Sequence, residues 1–207
     1  MILWGRSSSA NVQKILWCLD ELGLSFDHKI VGGKYGGTDT AEFAALTPVS
    51  RVPVMQDGDI TLWESNVILR YLGRKMQALG HDNPHVDMWM EFGSTTLQPP
   101  FIGMFWQRIR MTPDQRDECT LEKHMSGLSA ALDVLESTLA YGRMHIAGDD
   151  FSLADISLGT LFFRIRDLNP KLLEDREHLA KWHDRIAQRA AYKYHIATSY
   201  DELKVIP

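Results

Sequence analysis

Apolar residues change their spacing repeatedly over the first 76 positions of the chain and then settle into helical periods. Met1 to Gly5 is a short apolar run that predicts a strand. Val12, Ile15, Leu16, Leu19 and Leu22 follow at helical spacing until Gly23 ends the series. Phe26 to Val31 predicts a second strand, and because a helix intervenes it should lie parallel to the first through a right-handed crossover. The glycine-rich loop Gly32 to Gly37 leads to a short helical piece, Ala41 to Leu46, which Pro48 stops. Val52 to Met55 and Ile60 to Trp63 then flank Asp57-Gly58, a turn dipeptide that favours an antiparallel hairpin. A helix from Ser65 to about Met76, carrying Val67, Ile68, Tyr71 and Leu72 on one face, completes the order β-α-β, short helix, β-β-α. That order predicts an α/β domain over residues 1–76 with a four-stranded mixed sheet.

The stretch 77–84 holds Gly80, Asp82, Asn83 and Pro84 and reads as a linker. Residues 85–207 read as an all-α helical bundle. Its expected helices run from His85 to Arg110 with a disturbance at Pro99-Pro100, Pro113 to about Tyr141, Ser152 to about Leu168, and Leu173 to Ala190. Ser152 and Asp155 are spaced to close a reciprocal N-terminal cap, stapled by Phe151 and Ile156.

Composition narrows the function. With 44% hydrophobic and 24% charged residues the chain is ordinary globular protein. A net charge of −5 argues against a nucleic-acid surface, although Lys34, Arg51 and Arg108 could serve one small anion. Cys18 and Cys119 fit no disulfide or zinc spacing, which suits a reducing compartment. Cys18, well inside the first helix, reads as a buried inert thiol. The eight histidines show no metal-site pattern, so no metal is expected. The opening apolar run is too short for a signal peptide, and no stretch approaches the ~20 apolar residues that span a bilayer; a cytoplasmic location without membrane contact is expected.

Two short segments carry the strongest chemical signal. Arg51-Val52-Pro53 places a proline at the head of a strand, where its missing N–H leaves the Val52 backbone free to pair with an extended ligand. Glu64-Ser65 opens a helix, with Ser65 where an N-cap belongs. The helix terminus favours a carboxylate, and Glu64 could take an ammonium group. One peptide-like ligand bearing both groups would satisfy both.

The phrases RSSSANVQKILWCLDELGL, TPVSRVPVMQDGDITLWESNVILRYL and GDDFSLADISLG, in that order and covering nearly the whole chain, resemble the cytosolic glutathione S-transferases. In that family a thioredoxin-like domain precedes an all-helical one. Ser9 and Asn11 look like the hydroxyl and amide that bacterial, theta- or nu-like members of serine type place near the thiol, with Ser8 and then Ser7 as weaker alternatives. The resemblance implies that glutathione, as co-substrate, is held by Glu64 at its amine, Ser65 at its carboxylate, the Val52 backbone beside Pro53 along its middle, and Arg51, or less strongly Lys34, at its glycine carboxylate. Two departures stand out: Ser50 replaces a common glycine, and Arg189 to Tyr192 lacks a proline often found there. The resemblance also implies a homodimer with the small domain of one subunit facing the bundle of the other.

A thiol of pKa ~8.5 is mostly protonated at neutral pH, so a transferase must favour the thiolate. Donation from the Ser9 hydroxyl, help from Asn11 and the positive helix end would do so without a base. The sulfur would then attack a small electrophile lying against Phe101, Met104, Phe105 and Trp106, with Arg108 as a nearby cation. Two other functions fit the same residues: a glutathione-dependent disulfide reductase or peroxidase, and a non-catalytic glutathione-binding or scaffold protein.

Overall fold

The computed structural model of the protein describes residues 1–205; positions 206 and 207 of the expected helical region lie outside the described residues. Strands β1 (Ile2–Trp4), β2 (Asp27–Lys29), β3 (Val54–Asp57) and β4 (Ile60–Trp63) form one sheet in the order β2-β1-β3-β4. β1 runs parallel to β2, with Leu3 opposite His28, and antiparallel to β3, with Leu3 opposite Met55. The mixed sheet and its crossover helix are those the hydrophobic pattern implies.

β1 and β2 are shorter than their apolar runs, β3 is shifted two residues along its run, and β4 matches its run. Asp57 pairs with Ile60, so the two-residue hairpin loop is Gly58-Asp59 rather than Asp57-Gly58, and Gly58 supplies the positive φ of 59°. β3 begins at Val54, which leaves Val52 and Pro53, joined by a cis peptide bond, outside the ladder.

Helix α1 (Ala10–Glu21) crosses the sheet, α2 (Ala41–Ala44) is a single turn capped by Thr40, and α3 (Ser65–Met76) packs beside α1. The expected helix over 85–110 is segmented into α4 (Pro84–Phe92), a π turn at Gly93–Leu97, α5 (Gln98–Phe105) and a second π turn at Trp106–Arg110. Pro99 and Pro100 have no N–H and their rings crowd the preceding turn, so the wide turn falls just ahead of them. α6 (Glu118–Leu139) starts later than Pro113, because Asp117 caps it by accepting from Cys119 N at 3.1 Å and Thr120 Oγ1 at 2.6 Å. α7 (Leu153–Leu168), α8 (Glu177–Ala187) and α9 (Ala190–His195) complete the bundle; the last expected helix is split between α8 and α9.

α7 is the central element. Leu153 to Phe162 is buried without a break, against α1, α3, α4, α5 and α8. Its first turn carries the predicted reciprocal cap, and Asp155 does more than cap. This fully buried carboxylate accepts from Ser152 N (2.9 Å), Ser152 Oγ (3.0 Å), Trp182 Nε1 (2.7 Å) and Ile146 N (3.3 Å), with His145 Nδ1 at 3.2 Å. α7, α8 and the 145–152 loop therefore meet on one side chain. Asp155→Ala would leave those buried donors without an acceptor. It should lower unfolding free energy by about 3 kcal/mol or more in urea titrations, with Asp155→Asn intermediate; a loss below ~1 kcal/mol would show that the cluster is not a structural hub.

Candidate functional site

The chain leaves β1 through Gly5, whose φ is 148°. A Cβ there would stand 2.4 Å from Val12 Cγ2 and 3.1 Å from Val52 Cβ, so only glycine lets the Arg6–Ser9 loop turn back between α1 and the Val52 segment. The three serines of that loop have different surroundings. Ser7 is exposed. Ser8 is buried; its hydroxyl accepts from Arg6 Nη1 at 3.3 Å and its carbonyl from Arg164 Nη2 at 2.7 Å. Ser9 is the residue ahead of α1, in extended conformation; its hydroxyl does not cap the helix and forms no hydrogen bond among the described residues.

Across from α1, Glu64 and not Ser65 occupies the cap position of α3, at a φ of 70° that a non-glycine residue seldom adopts. Ser65 is the first helical residue, and its hydroxyl donates to Asn11 Oδ1 at 3.4 Å. The next residue, Asn66, donates to the Met90 carbonyl at 2.9 Å and accepts from Ser157 Oγ at 3.0 Å, which ties the α3 terminus to α4 and α7. Val52 spends neither its N–H nor its carbonyl on another backbone group. Arg51 is exposed.

Two cavities meet here. One of about 360 Å³ is lined by Asn11, Lys14, Glu64, Ser65, Asn66 and Gln98, among others. The other, about 150 Å³, has Ser8, Ser9 and Asn11 on one side and Phe101, Phe105 and Trp106 on the other, so Asn11 and Gln98 belong to both. Neither is lined by Arg51, Val52 or Pro53. A larger cavity, about 670 Å³, lies beyond Ser8 and touches none of Ser9, Asn11, Glu64 or Ser65.

Besides Arg51, Val52 and Pro53, three further expected site residues line neither of these two cavities. Met104 is fully buried in the core and does not line the small cavity. Arg108 donates to the Leu168 carbonyl at the end of α7 and does not line the small cavity. Lys34 is exposed and ion-paired with Glu202 at 2.8 Å. Helical spacing groups residues on one face but does not say which face looks into the cavity. The widened turn at Trp106–Arg110 rotates Arg110 inward in place of Arg108.

Lys14 escaped notice in the sequence because it reads as a polar position within an apolar helix face. It is 1% exposed, lines the larger of the two joined cavities and has no ion-pair partner within 4 Å among the described residues. Burial pushes its ammonium pKa down to about 8, against an opposing pull from Glu64 and Glu91. The thiol of Cys18, also buried in α1, is pushed up by burial and by Glu21, in keeping with an inert core residue. Among the described residues, no cluster of three or more His, Cys, Asp or Glu is arranged to hold a metal ion, and no helix is long and apolar enough to cross a membrane.

Family models for the glutathione S-transferase N-terminal domain and C-terminal domain match residues 1–74 and 85–190. The chain belongs to the glutathione S-transferase family. It is 29% identical over 199 residues to glutathione S-transferase GstB of Escherichia coli, covering 92% of this chain and 95% of that one. It is 31% identical to glutathione S-transferase 3 of Zea mays, covering 94% and 92% of the two chains. Among solved structures, the theta class glutathione S-transferase of Xanthomonas axonopodis pv. citri with glutathione bound superposes with a TM-score of 0.87 at 32% identity, over 96% of this chain and 98% of the other. The thioredoxin-like domain followed by an all-helical domain is thus the glutathione S-transferase architecture.

The unpaired Lys14 charge makes a prediction about stability. Its pKa is depressed from 10.5 to about 8 on folding, so below pH 8 both states are protonated and the burial penalty is complete. The penalty fades as pH rises toward 10.5 and the native state sheds its proton first. Lys14→Met should therefore stabilise the ligand-free protein by about 1–3 kcal/mol at pH 7 in urea unfolding, with the gain shrinking above pH 8. A variant less stable than its parent at pH 7 would contradict this.

Proposed function

We propose that this glutathione S-transferase joins the glutathione thiol to small electrophiles, with Ser9 and Asn11 at the sulfur. The observation that carries the reading is the Ser9 hydroxyl, uncommitted among the described residues and set at the start of α1 on the wall of the small cavity. Ser8, by contrast, already binds Arg6 and Arg164. A hydroxyl donor and a helix N-terminus lower a thiol pKa by favouring the anion; two units correspond to ~2.7 kcal/mol, within reach of one charge-assisted hydrogen bond and a dipole.

The larger joined cavity suits the γ-glutamyl end. Glu64 supplies a carboxylate for the amine; Ser65, the α3 terminus and the Lys14 charge favour the carboxylate. Val52, with its backbone uncommitted next to Pro53, suits the extended middle of the tripeptide. Arg51 is the better cation for the glycine carboxylate, since Lys34 already holds Glu202. The buried, weakly acidic Cys18 offers no thiol of its own for reductive chemistry.

We also propose a homodimer. Trp63 and Val67, at the β4–α3 edge of the small domain, and Met88 on α4 of the bundle are large apolar side chains left exposed at 36%, 43% and 52%. Sedimentation at micromolar concentration should give twice the 23.6 kDa chain mass; a monomer alone would refute the assembly.

Ultraviolet titration of bound glutathione tests the chemistry. The thiol should ionise below its free pKa in the parent protein. Ser9→Ala should raise that pKa by about 1–2 units and lower kcat/KM for a chlorinated aromatic acceptor by roughly 10–100-fold, with Ser8→Ala moving it less. An unshifted titration, or turnover confined to a mixed disulfide and a hydroperoxide, would overturn conjugation as the main role.

A further inference from the structure

The small cavity beside Ser9 is cationic in a chain of net charge −5. Arg6, Arg110 and Arg164 line it, and no Asp or Glu does. None of the three has an ion-pair partner among the described residues. Arg6 donates to Ser8 Oγ at 3.3 Å, and Arg164 to the Ser8 carbonyl at 2.7 Å and to Gln13 Oε1 at 3.0 Å. Among the described residues Arg110 makes no side-chain hydrogen bond. Elsewhere in the molecule Arg70, Arg166, Arg176 and Arg189 each hold a carboxylate at 2.5–2.7 Å.

Two acids on neighbouring segments are already engaged. Glu202, on the segment that follows α9, binds Lys34 at 2.8 Å and Tyr35 Oη at 3.1 Å. Asp167 accepts from the Tyr200 hydroxyl. Burial lowers the Arg164 pKa to about 10, against an opposing pull from Tyr200 and with Arg6 and Arg110 adding to the fall; Arg6 is lowered by burial and then by Arg110, against a weaker pull from Glu202. Three guanidinium groups thus repel one another around a partly dry space, at a cost that a bound anion would remove. Phe101, Ile102, Phe105, Trp106 and Leu203 supply an apolar wall facing Ser8, Ser9 and Asn11.

We propose that the acceptor substrate of this enzyme is a small anion, an electrophile bearing a carboxylate or equivalent charge, with its charged end held by Arg110 and Arg6 and its apolar body against Phe105 and Trp106. This rests on the conjugation reading above and adds the class of acceptor. Arg164, 5% exposed, contributes a fixed background charge, while Arg6 and Arg110, only partly buried, are free to form paired hydrogen bonds with a carboxylate. The volume of about 150 Å³ suits a single-ring or shorter acceptor.

A matched pair of probes tests it: a chlorodinitrobenzoate with chlorine para to the carboxylate, and the corresponding benzamide. In both, the thiolate sulfur forms a bond to the ring carbon, chloride leaves with its electron pair, and the thiol proton goes to buffer. Normalised to the uncatalysed rates, kcat/KM should favour the benzoate by about tenfold or more at low salt, with the preference falling as ionic strength rises. Arg110→Gln and Arg6→Gln should each collapse the benzoate-to-benzamide ratio, and Arg110→Lys should retain part of it. Calorimetric binding of the two finished glutathione conjugates reads the same preference without turnover, so a protein that fails to conjugate still reports on the anion site. Equal affinity for the two conjugates, or a ratio that both glutamine variants leave intact while the KM for glutathione rises, would overturn the proposal and assign the arginines to the peptide instead. Failure of the thiol titration with a preserved conjugate preference would sink the conjugation reading alone.

Discussion

The burial of α1 on both of its long sides is the constraint on which the site depends. Val12 to Leu19 is buried without interruption, because the helix is covered by α3 on the sheet-domain side and by α7 and α9 on the bundle side. A helix held this way cannot rotate or slide, so the residues just ahead of it are fixed relative to both halves of the molecule. Arg164, reaching from α7 to the Ser8 carbonyl, adds a polar tie at that point. At the other end of α1, Trp17 and Arg189 share the Glu21 carboxylate at 2.9 and 2.6 Å. Placement of the Ser9 hydroxyl is thus a consequence of core packing rather than of loop stiffness.

Much of this was legible in the order of residues. Period changes in the hydrophobic pattern marked the strands, the crossover helix and the hairpin, and the spacing of Ser152 and Asp155 marked the start of α7. Capping of α3 was misread, because a serine before an apolar run normally caps, whereas here the strained Glu64 backbone takes that position and releases Ser65 into the first turn. The full role of Asp155 was also hidden. Its partners Ile146 and Trp182 come from other elements, and a local motif cannot announce distant donors.

On α5 and the turn after it the limit is geometric. Phe101, Phe105 and Trp106 reach the cavity, Met104 faces the core, and the extra residue in the π turn moves the inward cation from position 108 to 110. Sequence periodicity assumes an unbroken 3.6-residue repeat, and each insertion shifts every later residue around the axis. Arg6 and Arg164 could not be assigned from pattern at all, since they are brought to the same space from separate elements by the α1–α7 contact.

Asn11 and Gln98 form a party wall between the two chambers. A change at either residue alters the room in both chambers at once, so neither is a place where one chamber can change independently of the other. Ile102 and Trp106 touch the smaller chamber alone and are 40% and 52% exposed, with little core packing to lose. Among descendants of this enzyme, the smaller chamber would be easiest to reshape at those two side chains, leaving the larger one undisturbed.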